Sequence, residues 1–277
     1  MSNGWKYYNG ALIPTSAPHE KVNIEKIKSG EIWKEFSKQK PYFARWTSDF
    51  DCGKETEWWY VIKDSPFDIE KLSSSAKKHI RQALKKNRVI KIIPEEYKAE
   101  LYRCYEEACL KYNSKNTKIT YDDFVKTCKR STNLTYFGCF SIDDNILIGY
   151  MIVEQLDSYA RIVSAKYSTK YLKNRASDAL HYTILDKFLN NSQNKYISSG
   201  EKNINHITNA QEYKIQNFNF RKAYCKLNIT YNPKYKWLIK FLYPFRKLLK
   251  LFGGIGFIHK INSVLMMEGI VRRQKND

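Results

Sequence analysis

One arrangement between residues 134 and 231 governs what this chain can fold into. Three strand-like segments follow one another with almost no chain between them: Leu134 to Ser141, Ile146 to Gln155 and Tyr159 to Tyr167. Asp143-Asp144-Asn145 and Leu156-Asp157-Ser158 separate them, and short runs of Asp, Asn and Ser favour tight antiparallel connections. A helix follows over Arg175 to Asn190, with Leu180, Ile184, Leu185 and Phe188 at helical spacing. A strand over Lys195 to Ser199, a helix over Asn209 to Phe218 and a strand over Lys222 to Tyr231 complete the run. Upstream, Val89 to Ile93 reads as a strand and Pro94 as a first-turn residue of a helix reaching Tyr112. A second, shorter helix covers Tyr121 to Lys129. The order β-α-α-β-β-β-α-β-α-β predicts an α/β (α+β) fold, a mixed and mostly antiparallel sheet flanked by helices. A meander that feeds a crossover helix returns its next strand to the same sheet.

The flanks differ from this centre, and three blocks are expected. Residues 1–87 form a partial N-terminal unit, rich in Trp and Tyr and interrupted at Gly10, Pro14, Pro18, Pro41 and Gly53, which favours short strands and loops over helices. Its clearest strand is Thr56 to Lys63, and a basic amphipathic helix opens at Asp68 and runs to Lys86, with Leu72, Ala76, Ile80 and Ala83 or Leu84 inward. Residues 88–232 form the α/β domain, and residues 233–277 form a basic, amphipathic helical tail. Between Tyr213 and Met267 the chain has no Asp or Glu but eleven Lys or Arg. Trp237, Leu238, Phe241, Leu242, Phe245, Leu248, Leu249 and Phe252 share one helical face there. Lys236, Lys240, Arg246, Lys247 and Lys250 lie off it, and Pro244 kinks the helix.

Composition sharpens the functional question. With 43% hydrophobic and 15% aromatic residues among 277, the chain can bury a sizeable core, which excludes a disordered class. Lys and Arg number 48 against 28 Asp and Glu, a net charge of +20. Charge of that size opposes folding by self-repulsion and points to a polyanionic partner: a nucleotide cofactor, tRNA, other nucleic acid or an anionic lipid surface. Six cysteines, with no CxxC among them, fit neither a zinc site nor a disulfide framework and are expected as free thiols of a reducing compartment. The start MSNGWKYYNG lacks the layout of a signal peptide, and the apolar stretch Leu251 to Ile258 falls short of the roughly 20 residues of a membrane span. From these features a cytoplasmic chain is expected, with the tail a candidate for peripheral contact at the inner face of the membrane.

Over Val89 to Tyr231 the element order resembles the GNAT acyltransferase superfamily, in particular its Fem-like aminoacyl/acyltransferase branch. LSSSAKKHIRQALKKNRVIKI (Leu72 to Ile92) resembles the basic helix-then-strand entry of Fem-like proteins, and NFNFRKAYCKLNITY (Asn217 to Tyr231) their closing helix-to-strand passage. The resemblance implies a sheet whose fourth and fifth core strands splay apart, with donor and acceptor meeting in the opening. GNAT acetyltransferases hold the coenzyme A pyrophosphate on a Gly-rich turn after the fourth strand. The corresponding YSTKYLKNRASDAL (Tyr167 to Leu180) has no glycine, and Fem-like relatives, which take amino acids from tRNA, also lack that motif. Acetyl-CoA or another acyl-CoA, and aminoacyl-tRNA, are therefore the alternative donors, with no metal expected.

Residues just after the two splayed strands are the ones to examine. After the fifth, Glu201 and His206 are the titratable groups, and His206 suits general-base work near neutral pH, against the plainer reading of a loop residue bonded to backbone. Tyr213 resembles by position the helix tyrosine that protonates the leaving thiolate in some GNAT enzymes; it can equally be a packing aromatic. After the fourth, Lys170, Lys173 and Arg175 precede a helix that Asn174 or Ser177 can cap, a sound phosphate site or else a solvated basic turn. Glu57 and Trp59 share a strand face, with Asp51 nearby in sequence, and can line an acceptor pocket or simply pack. His181, inside a helix, reads as structural. The expected function is acyl or aminoacyl transfer from a phosphate-bearing donor to an amine or hydroxyl of an envelope or glycan precursor. The alternative is a non-catalytic nucleic-acid- or membrane-binding protein on a degenerate GNAT scaffold.

Overall fold

A computed structural model describes residues 4–111, 118–128, 132–204, 209–251 and 256–275. Its ten strands form a mixed, mostly antiparallel arrangement flanked by helices, as the element order requires. The chain divides into two compact units that interleave in sequence: residues 61–200 with 209–221, and residues 1–60 with 201–208 and 222–277.

The first of these holds β5 (Asn87–Ile92), β6 (Leu134–Ser141), β7 (Leu147–Gln155), β8 (Ala160–Tyr167) and β9 (Ile197–Glu201, of which Glu201 belongs to the other unit). β5 to β8 form an antiparallel meander, and β9 joins β8 in parallel. Side chains of successive strand residues alternate between the faces. Tyr136 therefore packs on α4 (Lys98–Lys111) and α5 (Tyr121–Thr127), in a core with Leu101, Cys104 and Phe124. Phe137, its neighbour, meets Phe188 just beyond α6 (Ala176–Leu185) on the opposite face. Thr120 caps α5 by accepting from Asp123 N, and Asn145 closes the β6–β7 connection at φ 53°, a conformation Asn tolerates.

The basic helix, α3, spans Ser74–Lys86 and starts later than expected. Asp68 instead caps a short 3-10 turn (Ile69–Lys71), and Ser73 caps α3 by accepting from Ala76 N. Ala76, Ile80 and Ala83 are buried along it, whereas Lys77 and Arg81 pair with Glu70 outside. Gly149 on β7 has a packing reason: an added Cβ would lie 3.0 Å from Tyr167 Cδ1, 3.2 Å from Lys166 O and 3.3 Å from Ala176 Cβ. Only a bare Cα lets β7 pass so close to the end of β8 and the start of α6.

The other unit contains the hairpin β1 (Trp5–Tyr8) and β2 (Ala11–Pro14), turned by Asn9-Gly10 with both φ positive, then β3 (Phe43–Ser48) and β10 (Arg221–Tyr231). β2 and β3 are parallel, β3 and β10 antiparallel. β4 (Trp58–Lys63) carries the chain from this unit into the first. The expectation of strands and loops at the N-terminus needs correction, because two one-turn helices, α1 (Glu25–Lys28) and α2 (Glu31–Glu35), lie there. Ile27 and Ile32 enter a core with Trp5, Leu12 and Ala44, and tertiary burial overrides a weak local signal. At the C-terminal end, α8 (Pro233–Leu242) and α9 (Arg246–Leu251) are separated by a 3-10 turn containing Pro244, where the kink was expected. α10 (Gly256–Arg273) seats Met267 and Ile270 against Phe43, Trp58 and Leu227. All six cysteines are free thiols, four of them buried.

Candidate active site where two strands part

β8 and β9 are joined by two residue pairs, Ala160 with Ile197 and Arg161 with Ser198. β8 then continues to Tyr167 and β9 to Glu201 without further pairing. A β-bulge bends β8 at this point. Its register with β7 passes from Ile162 opposite Val153 to Ser164 opposite Ile152, leaving Val163 unopposed and 50% exposed. An extra residue in one strand bends it and increases its twist, and such bulges gather beside active sites. β8 beyond Arg161 has no fully buried side chain, in contrast to the interior of β7. The opening expected between the fourth and fifth core strands is therefore present.

The residue at the fork is one that sequence reasoning did not select. Ser199 is the first β9 residue past the last pair, and its Oγ accepts a hydrogen bond from Lys214 Nζ at 2.6 Å. Lys214 lies on α7 (Ala210–Phe218), one turn before Phe218, and both are buried on the inner face of that helix. No carboxylate pairs with this amine among the described residues, and burial pushes its ammonium down to about 8. A buried cation without a counter-ion is costly, and one with a lowered pKa beside an opening in a sheet is a functional-site candidate. The available signal was a lysine four residues from a phenylalanine on an apolar helix stripe.

Polar groups of α6 and α7 surround it. His181 is 2% exposed and stacks on Phe218 with ring centroids 4.9 Å apart. Its Nδ1–H donates to the Ser177 carbonyl at 2.7 Å, and its Nε2 has no hydrogen-bond partner among the described residues. Burial, with the Lys214 charge adding to it, lowers its pKa to about 3, so the imidazole stays neutral at physiological pH. Tyr213 donates its hydroxyl hydrogen to the buried Asp178, and burial together with that carboxylate raises the phenol well above its ordinary value. Asp178 also lies 3.7 Å from Arg175, the αL residue before α6.

The turn after β8 is occupied by an acid. Glu107 Oε2 accepts from Ser168 Oγ at 2.6 Å and from Thr169 N at 2.9 Å. Burial works against that charge, but the Ser168 hydroxyl, the Thr169 amide and Lys170 outweigh it and hold the carboxyl below its usual range. Lys170 and Lys173 are exposed, and Asn174 donates to Ser141 Oγ at 3.4 Å. Ser177 Oγ sits 3.4 Å from His181 Nδ1.

The remaining sequence-selected residues belong to the other unit. Glu201 pairs with the Arg45 guanidinium; burial works against that cation, and Glu201 more than offsets it. Glu57 forms a two-pronged pair with Arg273. Lys202 and Lys222 lie over the Trp59 ring, 4.4 Å and 4.5 Å from its centroid, and Lys202 Nζ donates to Glu57 O at 2.8 Å. Asp51 sits in an exposed turn at φ 56°. His206 lies outside the described residues. Among those residues no three His, Cys, Asp or Glu side chains converge on a point that could hold a metal.

A meander that feeds a crossover helix into a parallel strand, with the fourth and fifth core strands parting at a bulge, is a GNAT/Fem-like fold. The chain matches the crystal structure of FemX at a TM-score of 0.57 and 10% identity, over 84% of this chain and 85% of that one. It matches a conserved protein of unknown function from Bacteroides thetaiotaomicron at 0.51 and 11% identity, over 79% and 78%. At such identities the likeness is one of fold. No protein-family model matches the chain. No curated protein matches it either.

Proposed function

We propose that the chain is an acyltransferase that moves an acyl or aminoacyl group from a phosphate-bearing donor, an acyl-CoA or an aminoacyl-tRNA, to an amine or hydroxyl. The observation that carries this reading is the unpaired, buried Lys214 amine at the fork between β8 and β9. The attacking amine or hydroxyl adds to the donor's carbonyl carbon, and the carbonyl oxygen takes up negative charge. The adduct collapses as the thiol of coenzyme A or the terminal hydroxyl of tRNA departs with the proton the nucleophile gave up. Protonated Lys214 is the group to hold the oxyanion, since a preorganised cation in a site of low dielectric acts strongly on developing charge. An envelope or glycan precursor as acceptor accords with the cationic surface and with the Fem-like resemblance.

Donor binding tests the reading directly. A ligand that binds the native state alone raises apparent stability, so thermal shifts with short and long acyl-CoAs and with charged and uncharged tRNA identify the donor class. One donor class is expected to stabilise the protein and to lose its acyl group in its presence. Lys214→Met is expected to keep the shift while slowing acyl loss about 10²- to 10³-fold. Absence of stabilisation by every donor sinks the proposal.

A second reading has one observation in its favour. Glu107 fills the donors of Ser168 and Thr169 in the turn where a donor phosphate was expected. A charged carboxylate there disfavours a donor phosphate, as on a degenerate scaffold that no longer catalyses and binds polyanions through other surfaces. Tight RNA or lipid binding without any donor shift would favour it.

A further inference from the structure

The apolar face expected on the C-terminal tail divides in two. Leu238, Leu242 and Leu249 are half-buried. Trp237, Phe241, Phe245, Leu248 and Leu251 are 66%, 62%, 48%, 54% and 79% exposed. These five follow one another at intervals of three or four residues along α8, the Pro244 turn and α9, which aligns them along one side. No residue of α8 is fully buried. Single exposed apolar side chains are ordinary, but a row of five large ones marks a surface that something else covers.

The charges around the row identify what covers it. Lys236, Lys240 and Lys247 are exposed beside it, and none of them is in an ion pair among the described residues. No acid occurs between Tyr213 and Met267 to balance them. Two copies placed face to face would bring these lysines against one another, which argues against a homodimer. RNA would match the charge and stack on the rings, but it offers nothing to the aliphatic Leu248 and Leu251. An anionic bilayer satisfies every part, with headgroups for the lysines and an acyl boundary for Trp, Phe and Leu. α8 and α9 are short and cationic, and no helix among the described residues is long and apolar enough to cross a membrane. The segment therefore lies in the plane of the surface.

We infer that α8 and α9 dock the protein on an anionic phospholipid surface, with Trp237, Phe241, Phe245, Leu248 and Leu251 inserted at the headgroup boundary and Lys236, Lys240 and Lys247 on the headgroups. This inference does not rest on the acyl-transfer reading.

Co-sedimentation of the full chain with vesicles tests it. Vesicles containing phosphatidylglycerol should bind at least about tenfold more tightly than pure phosphatidylcholine, with the difference shrinking as salt rises. Trp237→Ser/Phe241→Ser should lose about tenfold in affinity for the anionic vesicles. Both positions are exposed, so its thermal melt should match the parent; Lys236→Glu/Lys240→Glu/Lys247→Glu provides a second variant with the same expectation. Equal binding by parent and double Ser variant would overturn the inference, because bulk charge alone would then suffice. So would a concentration-dependent dimer, or RNA binding, that the double Ser variant abolishes while vesicle binding stays unchanged.

Discussion

Lys214 donates from Nζ to the Ser199 hydroxyl at 2.6 Å, at the first position of β9 that no longer pairs with β8. The contact joins a helix to a strand fork and sets a cation where the sheet opens. Neither residue stands out in the linear sequence.

The burial of this amine has a pH signature. Its folded-state value of about 8 lies below the ordinary 10.5, so between those values the unfolded chain binds the additional proton. Stability should therefore rise with pH across that window, by up to about 3 kcal/mol from this group. Urea unfolding of the parent and of Lys214→Met at pH 7 and pH 10 checks this through the difference between the two proteins. Equal pH slopes would mean that the amine is not buried as described. Any activity that depends on the ammonium should fall as pH climbs through about 8.

Glu107 should behave oppositely. Its carboxyl is held below the usual range, so its contribution is present above the ordinary 4.5 and is lost as pH falls through the depressed value. Glu107→Gln should cost about 1–3 kcal/mol at pH 7 and progressively less in acid. Denaturation midpoints of the two proteins at neutral and acid pH decide the matter.

Glu201 separates two roles. If its work is to neutralise Arg45, Glu201→Gln should lower stability by about 1.5–3 kcal/mol, and a double-mutant cycle with Arg45→Met should show coupling of similar size. A Gln variant of unchanged stability that loses all acyl transfer would return the residue to catalysis.

Gly149→Ala should destabilise by about 1–3 kcal/mol, because the added methyl meets the Lys166 carbonyl, which cannot rotate away. A fall of several degrees in the thermal midpoint is expected. An unchanged midpoint would contradict the close passage of β7, β8 and α6.

Much of the central fold was readable because its signals are local. β6 spans the residues read as a strand, Leu134–Ser141, and β7 and β8 begin one residue later than read. Alternation and Asp/Asn turns act over a few residues, and so does the proline that interrupts the tail helix. The one-turn helices α1 and α2 escaped notice because so short a helix owes its stability to the core that Ile27 and Ile32 join.

The candidate site was readable only as a location. Element order implied a parallel strand beside the meander, and the resemblance to GNAT-type proteins implied that the two part. Glu201 drew attention because it follows β9, but its partner Arg45 lies 156 residues away in sequence. Lys214 was passed over because its environment is assembled from Ser199, α6 and α7. The spacing of apolar residues and the uniform charge of the tail were determined by sequence alone, since both are properties of neighbouring residues. Tertiary packing decided which side of the tail stays exposed and that the Lys214 amine is buried at the strand fork, because burial depends on segments that the chain brings together only on folding.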